Sequence, residues 1–135
     1  MLSIFPQLLD FGMFGPLFLR IGLAVVFLVH GYPKIFKKEN FLGTAQFFES
    51  IKIKPGKFWV AVVGGVEFFG GILILVGLFT QVVALLLMIN MVVAIWKVKW
   101  QKGFLNGYEF DLVLLLMAFA LMVLGPGVFS LDLPL

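Results

Sequence analysis

Four runs of mostly apolar residues, each near the roughly 20 needed to cross a hydrocarbon core, constrain this 135-residue chain more than anything else in it. They lie at about 14–31, 58–78, 82–98 and 108–124. Lipid offers no partners to stray backbone groups and four segments cannot close a barrel, so each run is expected as an α-helix. The third is short as counted and is expected to extend toward Trp100, whose indole suits an interface. Composition agrees: 62% hydrophobic, 13% charged and a mean hydropathy of +1.14. A soluble domain is about half apolar and a quarter charged, so the excess must face lipid. The expected fold is an all-α membrane protein, a four-transmembrane-helix bundle forming one integral membrane domain over 1–135. No linker, repeat or low-complexity segment interrupts it.

The charges are lopsided. Lys34, Lys37, Lys38, Lys52, Lys54 and Lys57 lie between the first two spans, and Lys97, Lys99 and Lys102 between the last two. The turn after span two carries no lysine or arginine, and neither does either tail. The positive-inside rule puts both lysine-rich loops in the cytoplasm and both termini outside. A net charge of +3 therefore reads as membrane orientation, and nucleic acid is not an expected partner. The N-terminus lacks the basic stretch and small-residue cleavage site of a secretory signal, so span one is expected to be retained. In the first loop, NFLGTAQFFESIKI turns Phe41, Leu42, Ala45, Phe48 and Phe47 to one side. That predicts a short amphipathic helix at the inner surface or against the bundle mouth. Pro55-Gly56 precedes span two, and Gly125-Pro126-Gly127 ends span four.

One charge interrupts the second span, in GGVEFFGG at 64–71. Gly64, Glu67 and Gly71 share a helix face, and small residues there admit a neighbouring backbone. Glu67 thus faces protein, where it must be paired, protonated or wetted. Arg20 is the expected partner: it stands about 16 Å above the inner end of span one and Glu67 about 13 Å above that of span two, at 1.5 Å per residue. Asn90 in span three lies at mid-depth and could join them. Nearer the inner face, His30 ends span one while Glu109 and Asp111 open span four; these two diverge by about 200° and cannot both meet His30.

Each of these residues has a plainer explanation. An Arg20–Glu67 pair could simply fix helix register. His30 suits an interface, Glu109 and Asp111 suit a helix N-terminus, and Asn90 could bridge helices. A single histidine without a second ligand, and no cysteine, makes neither a metal nor a haem an expected cofactor.

The sequence resembles the DoxX family of small four-span bacterial and archaeal membrane proteins. The likeness rests on Arg20, Gly22, Phe27, Gly31, Lys34, Phe41, Gly43, the segment 64–71, Leu75, Gly77 and Thr80. It ends with Gly125-Pro126-Gly127 and Ser130-Leu131-Asp132. The resemblance implies a four-helix bundle in the cytoplasmic membrane of a bacterium or archaeon, related to the membrane subunit of thiosulfate:quinone oxidoreductase. It also implies quinone-linked redox, with quinone as the cofactor.

Two functions from different classes follow as expectations. In the first, the chain is the membrane component of a quinone-linked oxidoreductase system. Arg20, Glu67, Asn90 and Glu109 would hold the headgroup, and Glu67, Arg20 and His30 would carry the chemistry. With no redox motif of its own, it would need a protein partner, either a soluble redox enzyme or a second subunit, and could assemble with further copies of itself. In the second, it is a non-catalytic scaffold recruiting a soluble redox or detoxification enzyme through its inner lysines. A transporter ranks behind both, since no repeat relates the two halves.

Overall fold

The computed structural model describes residues 3–132. A 3-10 helix, Pro6–Phe14, leads into α1, Gly15–Phe36. Then come α2, Lys38–Ser50; α3, Gly56–Val76; α4, Thr80–Ala94; and α5, Glu109–Leu124. A π-helical turn, Ile95–Lys99, and a 3-10 turn, Trp100–Lys102, continue α4, so this span reaches past Trp100 as expected. Among the described residues, four helices are long and apolar enough to cross a membrane.

These four pack in a ring in which α1 touches α3 and α5, and α4 touches α3 and α5. Leu23, Ala24 and Phe27 of α1, Ile74 of α3, Leu87 and Met91 of α4, and Leu114 and Leu121 of α5 meet along its axis. Large apolar side chains also cover the outside, among them Phe18, Val25, Phe69, Leu85, Ile89 and Phe119. A helix that is apolar on every side suits lipid rather than water.

The α1–α3 contact is the most extensive, and glycine makes it so. A Cβ on Gly31 would come within 2.5 Å of the Phe68 backbone nitrogen and 2.9 Å of Glu67 Cβ. Gly64 lies against Ile35 and Lys34, and Gly71 against Leu28. The predicted glycine face of the second span is therefore a helix–helix seam, and Glu67 stands in it. The amphipathic helix also forms: α2 buries Ala45 and Phe48 against Val60 of α3, with Phe41 beside them. It closes one side of the bundle at the lysine-rich end.

Candidate functional site

Arg20 does not meet Glu67. Its five N–H groups go instead to five backbone carbonyls: Nε to Ile74 (3.1 Å), one terminal nitrogen to Pro126 and Val128 (3.0 and 2.8 Å), and the other to Leu75 and Phe129 (2.9 and 2.7 Å). A guanidinium has five donors, so none is left for a ligand or a carboxylate. The depth comparison failed because it ended span one at Gly31. The helix runs on through Pro33 to Phe36, the missing proline N–H being tolerated in a final turn whose end is marked by Lys37 N–H donating to Pro33 O. Gly31 packs against Glu67 itself, so Arg20, eleven residues earlier on α1, stands about 16 Å from the level of Glu67 at 1.5 Å per residue. The difference exceeds one helical turn.

The carbonyls around Arg20 come from the end of α3 and from the segment after α5. That segment folds back under the bundle: Leu131 and Asp132 N–H donate to Val76 and Gly77 O. Gly77, at φ +71°, ends α3 in the left-handed region, where a side chain would also strike Ser130. The Asp132 carboxylate accepts from Phe79 and Thr80 N–H at 2.6 and 2.8 Å, capping α4 from a distant part of the chain. Partial burial pushes the Asp132 carboxyl up. The nearby Thr80 hydroxyl, the Thr80 and Phe79 N–H groups and the Arg20 charge outweigh that and hold it below its ordinary value.

Glu67 finds its partner one turn beyond Gly31. Lys34 Nζ donates to both carboxylate oxygens at 2.8 Å, and Asn90 Nδ2 donates to Oε1 at 3.1 Å. Glu67 is only 3% exposed, whereas the Lys34 side chain retains 26%. Asn90 joins the glutamate as expected, but the cation is Lys34. The signal for it was present: Lys34 follows Gly31 by three residues and shares its face. A lysine placed in a loop by the charge map in fact sits on the helix.

A cavity of about 280 Å³ opens beside this triad toward the lysine-rich end. Its greasy wall includes Phe27, Phe47, Phe48, Trp59, Met91 and Leu114, and its polar side chains include His30, Lys34, Glu67, Asn90, Lys99 and Asp111. His30 stacks on Phe110 with ring centroids 5.9 Å apart. Its Nδ1 donates to Val26 O at 3.1 Å, since a carbonyl can only accept, and this leaves Nε2 as an acceptor in the neutral ring. Across the cavity, Lys99 Nζ donates to Asp111 Oδ1 at 3.0 Å. The π-helical turn at Ile95–Lys99 carries Lys97 outward over the Trp96 ring while Lys99 turns in.

Of the two acidic residues opening α5, Asp111 lines the cavity and Glu109 does not. Glu109 Oε1 accepts from Asn106 N–H at 3.0 Å, a helix-start contact. The expected headgroup role of Glu109 therefore has no geometric support. Asp111, 4% exposed, and its partner Lys99 were not singled out as ligand-binding from sequence. The two-residue spacing did show that only one of the acids could turn inward.

Each carboxylate on the cavity wall has its own lysine, so the two charges cancel pairwise. The site offers hydrogen bonds in an apolar setting without net charge.

The DoxX family model matches residues 15–100. The chain belongs to the DoxX family. It is 36% identical over 118 residues to "Putative oxidoreductase CatD" of Bacillus subtilis (strain 168), covering 87% of this chain and 84% of that protein. It is 37% identical over 127 residues to "Uncharacterized membrane protein Rv3486" of Mycobacterium tuberculosis (strain ATCC 25618 / H37Rv), covering 84% and 77%. No solved structure matches. Of the resembling residues, Phe27, Lys34 and Glu67 line the cavity, whereas Arg20, Gly77, Thr80, 125–127 and 130–132 gather at the opposite end.

Proposed function

We propose that this DoxX protein is the membrane component of a quinone-linked oxidoreductase system, with the headgroup seated in the cavity at the lysine-rich end. The observation that carries the reading is the cavity's makeup: apolar and aromatic walls, two ion pairs that cancel, and spare hydrogen-bonding capacity. A neutral ring bearing polar oxygens suits such a site. A volume of about 280 Å³ falls at the small end of ligand pockets, roughly 300–1,000 Å³, and suits a single-ring headgroup whose tail leaves between helices.

Lys34 has a third ammonium hydrogen and Asn90 a second amide hydrogen beyond those given to Glu67. These donors hold one quinone oxygen, and Glu67 fixes both of them. A bound quinone supplies two-electron, two-proton chemistry; the ammonium of Lys34 and the carboxylate of Glu67 are the acid and base beside it. His30, nearer the mouth, carries protons toward the lysine-rich face. Arg20 has no donor to spare and serves the fold. The orientation that fits is lysine-rich loops in the cytoplasm and termini outside, in a bacterial cytoplasmic membrane, with electrons passing to or from a protein partner. The name carried by the Bacillus relative points in the same direction.

Solvent extraction and mass spectrometry of protein purified gently from its own membranes tests this. Stoichiometric quinone in the parent and its loss from a folded Glu67→Gln variant are expected. No quinone in either overturns the reading.

One observation favours a second reading. Lys37, Lys38, Lys52, Lys54, Lys57, Lys97 and Lys102 are all exposed at a single end. A scaffold recruiting an acidic soluble enzyme would use them. Co-purification that survives Glu67→Gln but is lost on charge reversal of these lysines would support it.

A further inference from the structure

Among the described residues, two buried side-chain oxygens lack any hydrogen-bond partner: Thr80 Oγ1, at the terminal end, and Asp111 Oδ2. Thr80 lies beside the Asp132 carboxylate in a packed helix start. Asp111 stands on the wall of the cavity, where nothing in the fold accounts for its empty oxygen. Its other oxygen is held by Lys99. A buried carboxylate oxygen without a donor is costly, so such an atom is an acceptor awaiting a partner. The terminal torsion of a carboxylate is broad, and a small rotation turns Oδ2 into the cavity while Lys99 keeps contact.

The rest of the cavity sorts the same way. Both Glu67 oxygens already accept, and the remaining hydrogens of Lys34 and Asn90 make that side a donor. On the Asp111 side, Oδ2 is an unpartnered acceptor, and Lys99 keeps two hydrogens beyond the one given to Oδ1. A ligand that also satisfies Oδ2 must donate a hydrogen at that end. A quinone has carbonyl oxygens only, which the spare hydrogens of Lys34, Asn90 and Lys99 can meet, but it leaves Asp111 Oδ2 without a donor. Its reduced form has a hydroxyl at each end, and a hydroxyl both accepts and donates.

We infer that the cavity binds the reduced, dihydroxy form of the headgroup in preference to the oxidised form, with Asp111 Oδ2 accepting the second hydroxyl. This rests on the quinone reading and adds its preferred redox state and a ligand-binding residue. A hydrogen bond to a buried charged group corresponds to about tenfold or more in affinity. Stabilising the reduced form by tenfold raises the two-electron potential of the bound couple by about 30 mV.

The test is equilibrium binding of a short-chain benzoquinol and the matching benzoquinone, the former under anaerobic conditions, to the whole protein in nanodiscs. Trp59 on the cavity wall serves as the fluorescence reporter. At least tenfold tighter binding of the quinol is expected. In Asp111→Asn, with the amide oxygen turned to Lys99, the amide nitrogen becomes a donor facing the cavity. The preference should then fall below unity, toward the quinone, which loss of structure alone would not produce. Equal binding of the two forms by the parent overturns this inference, Oδ2 then being met by water, and leaves the quinone reading standing. Binding of neither form overturns both. Should Asp111→Asn fail to fold, the parent's preference still decides the matter.

Discussion

The two ends of this bundle each bury charge, and they bury it in opposite ways. At the terminal end, Arg20 spends all five donors on fixed backbone carbonyls, and Asp132 spends its oxygens on the first N–H groups of α4. At the lysine-rich end, Lys34, Asn90 and Asp111 are engaged but not exhausted, beside a cavity. A buried ion with every valence filled by backbone is a piece of architecture. One with a valence to spare, beside empty volume, can exchange partners, which ligand binding requires. Both ends carry residues by which the chain resembles its family, so resemblance alone does not separate the two roles.

Breaking the terminal end should cost the most. Arg20→Met orphans five carbonyls and releases segment 126–132, with an expected loss of about 3 kcal/mol or more. Unfolding by denaturing detergent in mixed micelles measures it. Arg20→Lys should recover less than half, because an ammonium has three donors and no fork. A midpoint unchanged by either substitution would remove the contrast between the ends.

Gly31→Ala acts on the seam that joins the two halves of the comparison. Its Cβ would meet the Phe68 backbone, and α1 and α3 must part; about 2 kcal/mol of destabilisation is expected in the same assay. A larger residue there should do more.

Glu67→Gln sharpens the contrast. It leaves Lys34 without its counter-charge, but that side chain is partly exposed and can turn to water, so about 1 kcal/mol is expected. Bound quinone should nevertheless vanish. Loss of ligand with little loss of fold is the reverse of Arg20→Met, where the fold itself fails.

Asp132→Asn is the mildest, at about 0.5 to 1 kcal/mol, since an amide still caps a helix. The pH dependence carries more information. The carboxyl is depressed in the folded state, so its contribution is fully present above the ordinary carboxylate value of about 4 and is lost as pH falls through the lowered one. The parent's unfolding midpoint should therefore drop in acid by more than that of Asp132→Asn.

Much of this could be read from the sequence, and the exceptions have physical causes. The spans, the packed face of α2 and the glycine seam rest on periodicity, which lipid enforces strictly. So does the inward aim of Glu67, along with its contact to Asn90. The Lys34 partner was hidden because span one was counted only to Gly31, whereas the helix runs on through Pro33 to Phe36. The Arg20 site was illegible for a deeper reason. Its partners are peptide carbonyls, which every residue has, so no residue type marks where they gather. Asp132 caps α4 only because the chain folds back onto Gly77, which no local pattern marks. Asp111 was weighed as a helix-start acid, which its position in the first turn of α5 also makes it.

The Arg20 clamp also bears on how the chain is assembled in the membrane. Three of its five carbonyls lie beyond α5 and are more than a hundred residues from Arg20 along the chain. During insertion the arginine enters lipid with the first helix, long before those partners arrive. Until the fourth span is in place and 126–129 fold back, the first helix carries a cation with three of its five donors unmet. A chain stalled short of that point would display the kind of intramembrane charge that marks an incomplete protein, so the clamp ties completion of the last span to the burial of the first.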